Sequence, residues 1–243
     1  MKACGSGCSR NNQIEGKRMT ELKDAFEAIG AKLSVVPGSD RFVIDIQETA
    51  DAEQFQLTLP SSRFISAEVL DVHPVRQHLV LEVIGGRVPT TTRYLCGHDE
   101  RHWFVAGVPI SRHTMNVRGA MEALKPAKVV REQRRAGVRH RRHRRHTAAY
   151  VRQGEWFFLP RPKMHVGELA QRDGMLVREN GKPHRVEWIY EPAGTTDRFV
   201  RGVISHPDHE TIRLQVWHRV VENNEVRTVD PAPDTFAWMD YLD

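Results

Sequence analysis

An α+β fold, with largely antiparallel sheet in two halves, an N-terminal helix and a central arginine-rich helix, is predicted by three features of the sequence. Apolar residues recur at helical spacing near the start. They alternate with polar residues through most of the remainder, and an arginine-rich segment interrupts the alternation near the middle. At 243 residues, with 40% hydrophobic and 28% charged residues, the chain can bury a core without disulfide or metal staples.

The elements follow in order. Residues 1–17 hold Gly5, Gly7, Asn11 and Asn12 and almost no bulky apolar groups, which reads as a flexible leader. Leu22, Phe26, Ile29 and Leu33 then fall at intervals of four, three and four, one face of a helix that Thr20 can cap. After Pro37-Gly38 the period becomes two. Phe42, Ile44 and Ile46, then Phe55, Leu57 and Leu59, alternate with polar residues as half-buried strands do. Further strand-like runs lie at 68–72, 78–84, 93–96 and 103–108, followed by a short helical stretch at 115–124. Beyond the basic segment, Trp156-Phe157-Phe158-Leu159 reads as an apolar strand ended by Pro160. The runs at 186–190, 199–205 and 211–221 complete the second half, with His206-Pro207-Asp208-His209-Glu210 as the turn of a last hairpin. The expected organisation is a leader (1–17), an α+β half (18–124), a basic helix or linker (125–152) and a β-rich half (153–243) packed with the first.

Charge is unevenly spread. Segment 125–152 carries eleven Lys and Arg against one acid, Glu132, a local charge of +10. In a chain of net charge +5 the remainder is therefore −5. Arg139-His140-Arg141-Arg142-His143-Arg144-Arg145-His146 is its densest part. Arginine forks grip phosphate oxygens bidentately, and histidine adds hydrogen bonds or stacks on bases. The expected function is that of a nucleic-acid-binding accessory or regulatory protein, RNA ahead of DNA, with a ribonucleoprotein or another protein as a further partner. Backbone contacts are expected from Arg131, Arg134, Arg135, Arg139, Arg141, Arg142, Arg144 and Arg145, and from Lys182 and Arg185 in the polar turn Gly181-Lys182-Pro183-His184-Arg185. The bland reading of the same segment is a solvated linker that pairs with acids of its own chain.

Two other readings come from other residues. Cys96 and His98 are two apart on a strand, while His206, His209 and His218 gather near the last hairpin. These five could ligate zinc or another divalent metal, although Cys-x-His followed far downstream by His-x-x-His is no recognised zinc signature. No cofactor is otherwise expected. With Asp99, Glu100 and Asp208 nearby, the loops at Cys96/His98 and His206/His209 have the equipment of a metal-assisted nuclease or hydrolase. A third reading docks the basic helix on an acidic protein. The nucleotide-loop, dinucleotide and serine-hydrolase motifs G-x-x-x-x-G-K-[ST], G-x-G-x-x-G and G-x-S-x-G are absent. Three cysteines, Cys4, Cys8 and Cys96, are too few and too scattered for a disulfide framework. With no long apolar run and no secretory signal, a cytoplasmic location without membrane association is expected.

The ordered motifs YLCGHDERHWFVAGVP (94–109), ALKP (123–126), the Arg-rich tract, RQGEWFFLP (152–160), GKPHR (181–185) and HPDH with WHRV (206–220) resemble a family of uncharacterised bacterial proteins. The resemblance covers most of the chain from about Leu22 onward. It implies a single architectural unit and carries over no catalytic or binding residue.

Overall fold

The computed structural model describes residues 7–38, 42–50, 52–60, 65–85, 90–138, 145–178 and 182–226, with side chains from Arg18 onward. The first helix, α1 (Gly7–Ala28), begins thirteen residues before Thr20, so backbone from Gly7 on that reads as a flexible leader is helical. Its apolar face is the expected one: Leu22, Phe26 and Ile29 are buried. Gly30, at φ +86°, turns the chain into β1 (Leu33–Gly38), which lies parallel to β3 (Glu53–Pro60), while β2 (Val43–Glu48) is antiparallel to β3 on its other side. Phe55 and Leu57, on the inward face of β3, are fully buried. Phe55 meets Phe26 at 4.9 Å and Trp103 at 5.4 Å between ring centroids. Alternation in the sequence has become a covered sheet face.

Two meanders follow, and both are built the same way. In the first, β4 (Ser66–His73), β5 (His78–Gly85), β6 (Thr90–Asp99) and β7 (His102–Val108) pair antiparallel in chain order. In the second, β10 (Gln171–Leu176), β11 (His184–Tyr190), β12 (Phe199–His206) and β13 (His209–Glu222) do likewise. That sheet is extended beyond β13 by β9 (Trp156–Pro160) and β8 (Val151–Gln153). Sheet is thus mostly antiparallel, as expected, with the β1–β3 pair as a parallel exception.

The first meander is buried on two faces, the second on one, with cover on the reverse of its sheet at the β8–β9 edge. One face of the first packs through Leu79, Leu81, Tyr94 and Cys96 on α1 and β3. The other packs through Val80, Leu95 and Ala106 on α2 (Val117–Ala123). The Asn116 side chain caps α2 by accepting from Gly119 N at 2.9 Å. The second sheet closes over Trp156, Phe158, Val186, Val200 and Leu214. Its reverse face, through Phe157 and Leu159, takes α3 (Ala127–Arg135) by way of Val129.

The expected long basic helix is therefore a nine-residue one. Its stop is a backbone device that composition does not reveal. Gly137 adopts φ +63°, its N–H donates to Arg134 O at 3.2 Å, and Val138 N–H donates to Gln133 O at 3.0 Å. This pair of reversed bonds around a left-handed glycine closes the helix, and Val138 adds its apolar contact beneath. Arg139, Arg141, Arg142 and Arg144 lie outside the described residues.

Residues 223–226 lace the two halves together. Asn223 N–H donates to Glu155 O at 2.9 Å, Asn224 N–H to Leu124 O at 2.9 Å and Val226 N–H to Gly107 O at 2.9 Å. Gly107 permits the last approach, since a Cβ there would stand 2.1 Å from the Val226 carbonyl oxygen. Among the described residues no helix is long and apolar enough to cross a membrane.

Candidate functional site

A cleft of about 710 Å³ lies where the β6–β7 and β12–β13 hairpin tips meet the β8–β9 turn. Register builds one wall. His206 and His209 are opposite each other at the ends of β12 and β13, separated by the two-residue turn Pro207-Asp208. His184, the first residue of β11, is one step beyond the Arg185–Ser205 pair and so lies beside His206, fully buried behind that wall. Side chains on adjacent strands stand about 4.5–5.5 Å apart. The three imidazoles accordingly stack, with centroids 4.1 Å apart for His184–His206, 4.6 Å for His206–His209 and 5.6 Å for His184–His209. One ligand atom from each lies within 4.8 Å of the others.

Their electrostatics follow from burial. His184 is fully buried, and burial, reinforced by His206 and His209, pushes its pKa down to about 3. Burial lowers His206 and His209 as well. All three rings are therefore neutral near pH 7, with lone pairs to offer. Both ring nitrogens of His184 and Nδ1 of His209 lack a hydrogen-bond partner. His206 is engaged: its Nδ1 accepts from Asp208 N–H at 3.1 Å, and its Nε2 donates to Lys182 O at 3.2 Å. Lys182 Nζ in turn bonds Asp208 Oδ1 at 2.9 Å.

The β8–β9 turn brings Gly154, at φ +55°, against these rings. A Cβ there would stand 2.6 Å from His209 Nε2 and 3.4 Å from His184 Nε2. Beside it, Glu155 Oε1 is 3.9 Å from His184 Nδ1, and burial pushes this carboxyl up.

The facing β6–β7 tip is a carboxylate clamp. Asp99 meets Arg145 at 2.7 Å and Arg152 at 2.6 Å, and Arg145 also reaches Glu100 at 3.0 Å. Burial pushes Asp99 up, but Arg152 and Arg145 outweigh it and hold the carboxyl at about 2. Glu100, at φ +59°, accepts from Glu210 N–H across the cleft and places Oε2 3.9 Å from His209 Nδ1. His102 Nδ1 is 2.6 Å from Glu53 Oε1.

The expected ligands thus separate. His206 and His209 belong to the cluster, joined by His184, which reads in the sequence as part of a phosphate-binding turn. Cys96 does not: it is fully buried among Leu79, Leu81 and Tyr94, and burial pushes its thiol up, away from the thiolate a metal needs. His98 packs edge-on against Trp103 at 4.8 Å. His218 is buried along β13, with Nδ1 2.7 Å from Val216 O. Among the described residues, His184, His206 and His209 are the group that can hold a cation.

Cations also diverge in role. Arg145, Arg152 and Lys182 are spent on Asp99, Glu100 and Asp208, while Lys125 is buried and bound to Glu122 at 2.6 Å. Arg131, Arg134, Arg135 and Arg185 stand exposed. Residues 111–138 present Arg112, Arg118, Lys128, Arg131, Arg134 and Arg135 to solvent, and their only two acids are neutralised, Glu122 by Lys125 and Glu132 by Arg161 at 3.1 Å with Arg135 at 3.5 Å.

The fold and cleft define a mostly antiparallel α+β protein with paired meanders and a histidine-lined cavity. The chain matches no protein-family model, no curated protein and no solved structure.

Proposed function

We propose that the protein binds nucleic acid through the phosphate backbone, RNA ahead of DNA, along the cationic surface of α2 and α3. One observation carries the reading: six exposed cations in residues 111–138, of which Arg135 alone leans on an acid of that stretch, Glu132 at 3.5 Å, which Arg161 already holds, while Glu122 is taken by Lys125. On α3, Lys128, Arg131 and Arg135 follow at intervals of three and four and so share a face, with Arg134 beside it. At about 1.5 Å rise per residue they span roughly 10 Å, a length over which a strand offers several phosphates. Arg139, Arg141, Arg142 and Arg144 follow directly in sequence and add to the local positive charge. Such contacts read backbone rather than bases, which fits an accessory role with little sequence preference.

Anisotropy titrations with generic single-stranded RNA, double-stranded RNA and DNA across a salt series test this. Replacing Lys128, Arg131, Arg134 and Arg135 together by Gln should weaken binding evenly across sequences. It should also flatten the slope of log K against log salt by roughly 3 to 4, at about 0.7–0.9 for each phosphate left without its cation. Unchanged affinity and slope would overturn the assignment. Tight capture of an acidic protein that short RNA fails to displace would replace nucleic acid by a protein partner.

A further inference from the structure

We propose that His184, His206 and His209 form a binding site for one zinc-class divalent cation, with a fourth coordination position open to the cleft. This site is independent of the nucleic-acid surface. Four observations converge on it.

The three rings come from three adjacent strand ends and bring a ligand atom each within 4.8 Å. Zinc–nitrogen bonds of about 2.0–2.1 Å in a tetrahedron set nitrogens roughly 3.4 Å apart, so ligation draws the rings inward by about an ångström. Second, His184 is fully buried with both nitrogens unpartnered. A buried imidazole seldom lacks a partner on both sides, and a cation on one nitrogen with a carboxylate on the other would supply both.

Third, the carboxylates are in place. Glu155 Oε1 is 3.9 Å from His184 Nδ1 and Glu100 Oε2 is 3.9 Å from His209 Nδ1. The inward pull of a cation at Nε2 turns each ring toward the familiar carboxylate–histidine–metal relay, in which the acid fixes tautomer and raises ligand basicity. Fourth, the Nε2 atoms of His184 and His209 both border Gly154, whose missing side chain leaves the space between them and the turn.

His206 must exchange a partner on ligation, giving up either its Lys182 carbonyl bond or its Asp208 N–H bond. Three imidazoles and no thiolate favour zinc, copper or nickel over clusters that need sulfur, and a three-protein-ligand site is the catalytic rather than the structural arrangement. A water in the fourth position would ionise near neutrality and face the cavity lined by Arg145, Arg152 and Lys182.

The test uses full-length protein stripped with a chelator and dialysed, then titrated with Co²⁺ and followed by its visible spectrum. Saturation at one equivalent with intense tetrahedral bands, displaced by Zn²⁺ and shifted by azide, is expected. His206→Gln and His209→Gln lie at a partly exposed turn. Each should cut affinity by about 100-fold or more while circular dichroism and melting of the apo protein stay close to wild type. Glu155→Gln should cost about 10- to 100-fold, and Cys96→Ala nothing. Failure to saturate at one equivalent, or saturation that survives His206→Gln/His209→Gln, overturns the site. Bands that azide leaves unmoved overturn the open position, and an unaffected Glu155→Gln overturns the relay.

Discussion

The two hairpin tips that face each other across the cleft have two-residue turns and opposite chemistry. At the β6–β7 tip, Asp99 and Glu100 are closed off by Arg145, Arg152 and Glu210 N–H. At the β12–β13 tip, His206 and His209 join His184 as neutral rings, and unpaired nitrogens remain on His184 and His209. The same backbone device thus serves once as a clamp, with its charges consumed, and once as an open set of donors. Availability depends on what reaches the tip from elsewhere in the chain.

The contrast can be broken from either side. The largest effect belongs to the clamp. Asp99→Ala leaves the Arg152 guanidinium, 15% exposed, without its carboxylate, and should cost about 3 kcal/mol in urea unfolding. A loss under about 1 kcal/mol would mean that the tip is not holding the fold. Next comes the open tip. Zn²⁺ at about 100 times its Kd should add roughly 2.7 kcal/mol to wild-type stability and nothing to His206→Gln/His209→Gln.

The acid limb follows. Asp99 titrates at about 2 when folded, below its ordinary 3.8. Between these values the unfolded chain binds the extra proton, so stability rises with pH there. The contribution, about 2 kcal/mol, is fully present above pH 4 and is lost as pH falls through 2. Asp99→Asn should remove it, and the stability difference from wild type should shrink across that window. The smallest effect is on the surface: Arg131→Gln and Arg134→Gln, both exposed, should change stability by no more than about 0.5 kcal/mol while still lowering nucleic-acid affinity.

The strands were readable because Phe55 and Leu57 sit at period two on a face that is covered, and period two has one structural cause. The end of α3 was not. Arginine and alanine favour helix whatever follows, and only the left-handed Gly137 with its two reversed bonds shows the stop. At the site, His206 and His209 were legible as an H-x-x-H turn. His184 was not, since its place beside His206 depends on the β11–β12 register between residues more than twenty apart. A histidine opening one strand, set against one that ends its neighbour, was the signal to look for. The repeated meander was hidden for a related reason. Its strands run to 8, 8, 10 and 7 residues in one copy and 6, 7, 8 and 14 in the other, so no fixed period links them.

The lacing by residues 223–226 bears on how the molecule is made. β7 is an outer strand of its sheet, and Gly107 on it receives a backbone bond from Val226. On a ribosome adding about 5–20 residues per second, that partner emerges roughly 6–24 s after β7 does. For that interval the Gly107 carbonyl, on an outer strand of the first meander, stands without this partner, at the kind of edge on which nascent chains associate wrongly, while Trp103 N–H nearby is already held by Glu53. Helix α2, which is synthesised at once after β7 and packs on Val80, Leu95 and Ala106, covers a face of the early intermediate and leaves that edge position to residue 226.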